Sequence, residues 1–226
     1  MTFVKICGIR RAEDAAAAVE AGADALGFNF WKGSSRYVDP REAARMVAAV
    51  PEGIWKVGVF VDELAERAVK IAQKTGLTAI QLHGSEPPEY LSGLGSFQKI
   101  KAFKVGDRFA PEQLRSYAAA DVFLLDGFVP GRHGGTGQSF DWSQAVRAKA
   151  YGRILLAGGL SAANVREALA QVDPWGVDVC SGVETEPGIK SARRIREFVA
   201  VVRSAEAERA GEGNRKEPAA GRHGIK

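Results

Sequence analysis

The stretch IWKVGVFVDELAERAVKIAQKTGLTAIQLHG (residues 54–84) contains the repeating unit of this chain. Both of its ends are short, largely apolar runs of the kind found in buried strands. Between them, apolar side chains recur every three or four residues, at Leu64, Ala68 and Ile71, which is the period of an amphipathic helix. Gly76 follows where the C-cap of that helix is expected. Two strands joined through a helix must cross over, so the stretch predicts a parallel βαβ unit.

The same unit recurs along the chain, because eight short apolar runs alternate with segments of helical character. The runs are predicted as strands at residues 3–7, 23–30, 54–61, 78–84, 97–103, 121–126, 153–159 and 175–182. They predict an α/β fold, a single (β/α)8 TIM barrel with eight parallel strands. The alternative is a doubly wound open sheet, which usually has a glycine-rich phosphate turn after its first strand. Here the glycines gather after the sixth, seventh and eighth strands, which favours the barrel.

The last part of the chain differs in composition from the rest. The helical pattern that begins near Ser191 is predicted to end near residue 209. Residues 210–226 contain no periodic apolar positions and are rich in glycine and charge, as disordered segments are. The sequence therefore predicts a barrel domain over residues 1–209 and a disordered polar tail over residues 210–226.

Composition and charge narrow the class of protein. The net charge of +4 comes from basic residues scattered among acidic ones, which does not favour a nucleic-acid partner. No apolar run is long enough to span a membrane. The two cysteines, Cys7 and Cys180, form neither a disulfide framework nor a metal-binding motif, as is usual in a reducing cytosol. We therefore expect a cytoplasmic protein with no nucleic-acid or membrane partner.

Four chemically active side chains lie at or near predicted strand ends, where the active sites of (β/α)8 enzymes are found. Cys7 ends the first strand, His83 the fourth and Asp126 the sixth, and Asp178 lies in the eighth. Each also has a structural interpretation, because cysteine is a common core residue, aspartate caps loops and histidine forms internal hydrogen bonds. Lys5 shares a strand face with Cys7 and is expected to form an internal ion pair, with Asp178 as one candidate partner.

Glycine-rich turns predict a phosphate site. Gly158 and Gly159 end the predicted seventh strand, ahead of a helix expected to begin near Ser161, and Ser181 and Gly182 lie at the end of the eighth. Backbone N–H groups at such turns, with a helix N-terminus behind them, bind phosphate dianions. The loops after strands seven and eight are the frequent phosphate site of these barrels.

Two further features have both a functional and a structural interpretation. Arg36, in SSRYV, either binds substrate or is a solvated loop charge, and the GGTG segment at residues 134–137 either lines the phosphate or simply provides flexibility. Taken together, the candidates predict a small phosphate-bearing substrate with a thiol on one side and a carboxylic acid on the other.

The motifs also occur in an order that resembles one enzyme family. They are KICGI (5–9), ALGFNF (25–30), SSRYV (34–38), VGVFV (57–61), QLHG (81–84), LLD (124–126), GGTG (134–137), LAGGL (156–160) and VDVCSGVE (177–184). None is specific alone. In register over nearly the whole folded chain, they resemble the phosphoribosylanthranilate isomerase family of tryptophan biosynthesis.

The resemblance implies an isomerase that carries out an Amadori rearrangement of N-(5-phosphoribosyl)anthranilate by general acid–base catalysis, without metal or cofactor. Cys7 would be the general base and Asp126 the general acid. Arg36 would bind the anthranilate carboxylate, with His83 and Asp178 as further substrate-binding residues. The expected partner is this phosphorylated small molecule, and the chain is expected to be a monomer or a homodimer.

The resemblance also implies the residues around the phosphate. They are Gly135, Thr136, Gly137, Gly158, Gly159, Ser181 and Gly182. Two positions depart from the family's pattern or vary within it. Ser191 replaces a common aspartate but is itself a good helix cap, and Cys180 lies at a variable position.

Two other functions remain as alternatives. One is a related barrel that isomerises the histidine-pathway aminoimidazole ribotide, or both substrates. Such barrels use two carboxylates, whereas this chain has Cys7 at the end of the first strand. The other is a non-catalytic phosphosugar-binding barrel, which would be expected to have lost Cys7, Asp126 or the glycine segments.

Overall fold

The computed structural model describes residues 1–106, 108–127 and 142–215 and shows a closed barrel of eight parallel strands. The strands are β1 (Phe3–Cys7), β2 (Ala25–Asn29), β3 (Trp55–Phe60), β4 (Ala79–Leu82), β5 (Gln98–Val105), β6 (Val122–Gly127), β7 (Ile154–Ala157) and β8 (Gly176–Val179). β1 pairs with β8, which closes the barrel. The (β/α)8 prediction is therefore confirmed, and the open sheet is excluded.

Six α-helices surround the described part of the barrel. They are α1 (Ala12–Glu20), α2 (Pro40–Ala48), α3 (Ala65–Thr75), α4 (Ser143–Ala148), α5 (Val165–Val172) and α6 (Ala192–Arg215). The crossovers after β4 and β5 are 3₁₀ helices instead, at Pro88–Leu94 and Pro111–Tyr117. The first contains Ser92 and Gly93 and the second Ser116, which are weaker helix formers than alanine or leucine. A short hairpin, β9 (Glu184–Glu186) and β10 (Ile189–Lys190), was not predicted.

Local signals account for several helix ends. The Asp39 side chain accepts a hydrogen bond from the Arg41 amide at 2.8 Å and caps α2. Gly76 caps α3 in the left-handed conformation, with φ of 72°. The Ser191 hydroxyl accepts a hydrogen bond from the Arg194 amide at 3.3 Å, so serine does cap α6.

Two predicted helix boundaries were wrong. α5 begins at Val165 rather than near Ser161, because Oδ1 of Asn164 accepts the Ser161 amide and folds the intervening residues into a turn. α6 continues to Arg215 rather than ending near residue 209. Two glycines at 211 and 213 cost a helix only about 1 kcal/mol each, which is less than a proline costs. The rest of the predicted tail, residues 216–226, lies outside the described residues.

Aromatic rings fill the amino end of the barrel. Phe3 stacks on Trp175 with ring centroids 4.4 Å apart and meets Trp55 edge-on at 5.1 Å. Small and branched side chains such as Ala25 and Val57 fill the next layer of the interior. This packing leaves the carboxyl ends of the strands as the face where a ligand enters. None of the helices in the described ranges is both long and apolar enough to cross a membrane.

Candidate active site

A cleft of about 420 Å³ opens at the carboxyl ends of the strands. It is lined by eight of the predicted site residues, Cys7, Arg36, His83, Asp126, Gly158, Gly159, Asp178 and Ser181. Gly182 is not part of the lining and packs behind it. Gly135, Thr136 and Gly137 lie outside the described residues, so their predicted phosphate contacts stay predictions.

Cys7 is the last residue of β1, and the backbone turns sharply after it. The amides of Gly8 and of the next residue both donate to the Gly27 carbonyl at 2.9 Å. Gly8 has φ of 78°, and a Cβ there would lie 3.0 Å from Cγ of Arg36 and 3.1 Å from Sγ of Cys180. Glycine tolerates both the left-handed backbone and this crowding, so Gly8 allows Arg36 and Cys180 to lie next to the Cys7 turn.

The surroundings of Cys7 favour its thiolate. A hydrogen bond with Cys180 lowers the pKa of the Cys7 thiol, and the positive charges of Lys5 and Lys190 lower it further, which together outweigh the effect of burial. The pKa of Cys7 therefore lies well below its ordinary value of 9.0. The same hydrogen bond and burial raise the pKa of Cys180. Of the two thiols, Cys7 is the one suited to accept a proton at neutral pH.

A buried ion pair lies beneath Cys7. The β1–β8 register places Lys5 opposite Asp178, with Nζ of Lys5 2.8 Å from Oδ1 of Asp178. Burial raises the pKa of Asp178 to about 6, although Lys5 opposes this. Burial alone would lower the pKa of Lys5, but the charges of Asp178 and Cys7 hold it above its ordinary value. The pair is therefore charged at neutral pH, and the expected partnership of Lys5 with Asp178 is confirmed.

We expect Asp178→Asn to lower the free energy of unfolding by about 3–5 kcal/mol, because it removes the main counter-charge of the buried Lys5 ammonium. Urea unfolding of the variant and the wild type measures this loss. The matched control is the double variant Lys5→Met, Asp178→Leu, which removes both charges and is expected to regain most of the stability. A loss below about 1 kcal/mol for Asp178→Asn would contradict the burial of this pair.

Asp126 and His83 face each other across the cleft. Nε2 of His83 lies 3.4 Å from Oδ2 of Asp126, and both side chains are partly exposed. On the other side of the ring, Nε2 of Gln81 lies 2.8 Å from Nδ1 of His83. With the Gln81 amide as donor, Nδ1 accepts and Nε2 carries the proton that points at Asp126. His83 thus holds a proton beside the Asp126 carboxyl.

The loop that carries His83 is fixed from within the barrel. The Glu86 carboxylate accepts the Gly84 amide at 3.1 Å and the Lys101 ammonium at 2.7 Å. The Lys101 and Glu86 side chains are almost fully buried. A buried, fully paired carboxylate cannot move without losing these bonds, so it holds the loop after β4 in one position.

Arg36 is held in a fixed orientation by Glu184. Nη2 of Arg36 lies 2.7 Å from Oε2 of Glu184, and Nε lies 3.2 Å from Oε1. Lys190 also donates to this carboxylate at 2.9 Å. Burial favours the neutral carboxyl, but Arg36 and Lys190 outweigh it and lower the pKa of Glu184. The guanidinium has five N–H donors and Glu184 accepts two, so Arg36 is a positioned cation rather than a solvated loop charge.

The loop between β2 and α2 brings an indole ring to the cleft. The Asn29 side chain accepts the Trp31 amide at 2.9 Å, and the Asn29 carbonyl accepts the Val38 amide at 2.9 Å. The Trp31 side chain lines the cleft and is 47% exposed. A large exposed indole in a cleft offers a flat surface on which an aromatic ligand can stack.

The turn after β7 presents backbone to the cleft. Gly158 and Gly159 have φ of 86° and 68°, so both are in the left-handed region. The Asn164 side chain fastens this turn, because its amide donates to the Gly159 carbonyl at 3.0 Å and its oxygen accepts the Ser161 amide at 2.8 Å. Such glycine turns expose N–H groups that bind anions.

The turn after β8 packs against the turn after β7. Ser181 lines the cleft at the start of a 3₁₀ helix, Ser181–Val183. A Cβ at Gly182 would lie 2.0 Å from the Leu160 carbonyl oxygen, so the two turns are in direct contact there. Gly182 therefore keeps the two glycine-rich segments together.

Several residues of the site were not predicted as such. They are Asn29, Trp31, Gln81, Asn164, Glu184 and Lys190. Most lie inside or next to the motifs that were quoted, but their partners are distant in sequence, as with Glu184 and Arg36. Only Asn164 has a local signal in the sequence. Asparagine is common directly before a helix, and Asn164 directly precedes α5.

Three larger clefts in the described part of the chain lack this chemistry. The smallest of them, about 640 Å³, lies beside Met1, Trp175 and Glu206. The remaining two are larger still. One, of about 790 Å³, lies outside the barrel between α1 and α2. The other, of about 1010 Å³, lies beside the loops after β3, β4 and β5 and does not contain Cys7 or Asp126. Within the described residues no cluster of histidine, cysteine or acidic side chains has the arrangement of a metal site.

The fold and the cleft together define a class of protein. This is a (β/α)8 enzyme whose cleft combines an acidic thiol, a carboxyl group and glycine-rich turns on loops that follow different strands. Comparison with known proteins identifies the family. Residues 4–201 match the family described as N-(5′-phosphoribosyl)anthranilate (PRA) isomerase, and the chain belongs to that family, whose members are isomerases of tryptophan biosynthesis.

Individual relatives agree with this assignment. The chain is 49% identical over 200 residues to the N-(5′-phosphoribosyl)anthranilate isomerase of Geobacter sp. (strain M21), which covers 88% of this chain and 97% of that protein. It is also similar to the crystal structure of phosphoribosyl anthranilate isomerase from Thermotoga maritima, with a TM-score of 0.84, 39% identity and coverage of 90% and 100%. A further isomerase structure, with a TM-score of 0.81, 38% identity and the same coverage, contains reduced 1-(o-carboxyphenylamino)-1-deoxyribulose 5-phosphate.

Proposed function

We propose that this chain catalyses the Amadori rearrangement of N-(5′-phosphoribosyl)anthranilate to 1-(2-carboxyphenylamino)-1-deoxyribulose 5-phosphate in tryptophan biosynthesis. The observation that carries this proposal is the arrangement of Cys7 and Asp126, an acidic thiol and a carboxyl group that face one cleft from β1 and β6. An aldose-to-ketose isomerisation needs one group that donates a proton to the ring oxygen and another that removes the C2′ proton.

Asp126 is proposed to open the ribose ring. As the C1′–O bond breaks, the carboxyl donates its proton to the ring oxygen, and the anthranilate nitrogen forms a Schiff base with C1′. Nε2–H of His83 lies 3.4 Å from Oδ2 of Asp126 and is placed to orient this carboxyl, which regains its proton from solvent after turnover.

Cys7 is proposed to complete the rearrangement. The positive Schiff base acidifies the C2′–H bond, and the Cys7 thiolate removes that proton to give an enolamine. The enolamine gains a proton at C1′ and loses the one on its C2′ hydroxyl, so substrate and product have the same composition. The lowered pKa of Cys7 keeps the base form present at neutral pH.

The two ends of the substrate fit opposite sides of the cleft. The phosphate is proposed to lie against the backbone of Gly158, Gly159 and Ser181, with Gly182 packed behind them. The anthranilate carboxylate is proposed to meet the guanidinium that Glu184 orients. The predicted Gly135, Thr136 and Gly137 would add to the phosphate site from a segment outside the described residues.

We expect Arg36→Met to weaken binding of reduced 1-(o-carboxyphenylamino)-1-deoxyribulose 5-phosphate by at least about tenfold, because a charge-assisted bond to its carboxylate is lost. Ribose 5-phosphate has no such carboxylate, so its affinity is expected to change by less than about threefold. Isothermal titration of both ligands gives the two ratios. Equal losses for both would show that Arg36 does not recognise the carboxylate.

The reaction itself is tested by identifying the product. Incubation with freshly generated N-(5′-phosphoribosyl)anthranilate should yield a compound of unchanged mass that carries a ketone in its carbon NMR spectrum. Heat-denatured protein is the control for spontaneous hydrolysis, which releases free anthranilate instead. If the ketose does not form, the proposal fails, and the histidine-pathway aminoimidazole substrate becomes the next candidate.

The setting of the enzyme is also a proposal. We propose a cytoplasmic enzyme that works as a monomer or a homodimer. One Thermotoga maritima structure in the family is described as a monomeric form of a dimeric isomerase. Sedimentation of this protein decides between the two states.

A further inference from the structure

A second thiol faces Cys7 in the cleft and takes no part in the proposed reaction. β1 and β8 pair in parallel from Phe3 with Gly176 to Ile6 with Val179, and Cys7 and Cys180 are the residues that directly follow the last pair. Both cysteines are free, and both line the cleft.

Extended by one residue, this register gives the two cysteines the spacing of a disulfide. Opposed residues of neighbouring strands lie about 4.7–4.9 Å apart. Disulfides join residues with Cα atoms about 4.4–6.8 Å apart. Lys5 and Asp178 lie two residues before Cys7 and Cys180, on the same sides of their strands. Their side chains meet inside the barrel, with Nζ of Lys5 2.8 Å from Oδ1 of Asp178. Sγ of Cys180 also lies only 3.1 Å from the position that a Cβ on Gly8 would take, so the second thiol reaches the turn directly after Cys7.

The chemistry of the pair suits oxidation. Cys7 is the more acidic thiol, and the thiolate is the form that reacts with peroxides. Nζ of Lys190 lies 3.6 Å from Sγ of Cys180, so a positive charge is placed next to the second sulfur as it loses its proton. An acidic, reachable thiol beside a resolving cysteine is the usual arrangement of a reversible oxidation site.

We propose that Cys7 and Cys180 form a reversible intramolecular disulfide when a peroxide enters the cleft. The Cys7 thiolate attacks one peroxide oxygen, the O–O bond breaks, and hydroxide leaves with the electron pair, which gives a sulfenic acid. The Cys180 thiol then attacks the Cys7 sulfur, a proton is released, and water forms from the sulfenic hydroxyl. Two electrons pass from the two sulfurs to one peroxide molecule, and two electrons from an external dithiol restore both thiols.

The disulfide would both stop turnover reversibly and protect Cys7 from further oxidation. While it exists, Cys7 has no thiolate to accept a proton, so turnover stops; this consequence rests on the proposed function. The bond also keeps Cys7 from further oxidation to sulfinic acid, which external dithiols do not reverse.

The test treats the full-length protein with hydrogen peroxide, alkylates the remaining thiols and digests with trypsin. We expect peptides 6–10 and 167–190 to be joined, in a monomeric protein lighter by two hydrogen atoms. Dithiothreitol should separate the peptides, restore both alkylatable thiols and return turnover in parallel. The mass readout does not depend on the reaction catalysed, so it can succeed or fail independently of the proposed function.

The matched variant is Cys180→Ser, with Cys180→Ala as a second replacement in case the first folds poorly. Each is compared with its own untreated rate. Without a resolving thiol, Cys7 should gain oxygen atoms, and dithiothreitol should restore little of the lost turnover. The proposal is overturned if wild-type Cys7 accumulates sulfinic acid at the same rate as the variants, or if the joined peptides come only from cross-linked dimers.

Discussion

Cys7→Ser is expected to lower the turnover of N-(5′-phosphoribosyl)anthranilate by at least about 10²-fold, which corresponds to about 2.7 kcal/mol of barrier. The physical reason is the loss of the thiolate. Hydrogen bonding with Cys180 and the charges of Lys5 and Lys190 stabilise a negative sulfur in the wild type, whereas a serine hydroxyl stays protonated at any pH the protein tolerates.

The pH profile adds a second readout for Cys7. A general base works only when deprotonated, so kcat/KM should fall as pH drops through the pKa of Cys7, and this limb should lie well below pH 9.0. The matched control is Cys180→Ser, which keeps a hydrogen-bond donor beside Cys7 and is expected to retain much of the turnover. Equal losses of turnover for Cys7→Ser and Cys180→Ser would show that Cys7 is not the general base.

Asp126→Asn is expected to produce the second large loss, again at least about 10²-fold in kcat. The amide has nearly the same shape as the carboxyl but cannot deliver a proton to the ring oxygen. Binding should survive, because the proposed phosphate turns and Arg36 are untouched. The measurement is kcat together with the affinity for reduced 1-(o-carboxyphenylamino)-1-deoxyribulose 5-phosphate. A kcat within about threefold of wild type would exclude Asp126 as the acid.

His83 helps to interpret that result. If His83 only orients Asp126, His83→Asn should lower kcat less than Asp126→Asn does and should leave ligand binding intact. A larger loss of kcat for His83→Asn than for Asp126→Asn would indicate that His83 is the proton donor and Asp126 the residue that orients it. The two side chains lie 3.4 Å apart.

The barrel was predictable because its signals are local. Each strand is a short apolar run, and each well-formed helix has its own period and caps, as Asp39 and Gly76 show. Strand ends then place side chains on one face of the fold, which is how Cys7 and Asp126 were found. The crossovers after β4 and β5 are 3₁₀ helices rather than longer helices, and the serine and glycine residues within them are weak helix formers.

The contacts that tune the site were harder to predict. Arg36 and Glu184 are separated by 148 positions, and nothing local to either residue indicates the other. The state of Cys7 depends on Cys180 and Lys190, which reach it only when β8 closes the barrel against β1. The alternation of side chains along a strand did anticipate the pairing of Lys5 with Asp178. Residues two positions apart point to the same side of a strand, and a closed barrel places the first strand beside the eighth.

The catalytic roles of Cys7 and Asp126 can be tested together in one side-by-side measurement. The fluorescence of freshly generated N-(5′-phosphoribosyl)anthranilate is followed with equal amounts of wild type, Cys7→Ser and Asp126→Asn. The account predicts rapid loss of the signal with wild type and a rate at least about 10²-fold lower with each variant. Rapid loss with all three proteins would contradict the assignment of Cys7 and Asp126, and no loss with wild type would contradict the reaction.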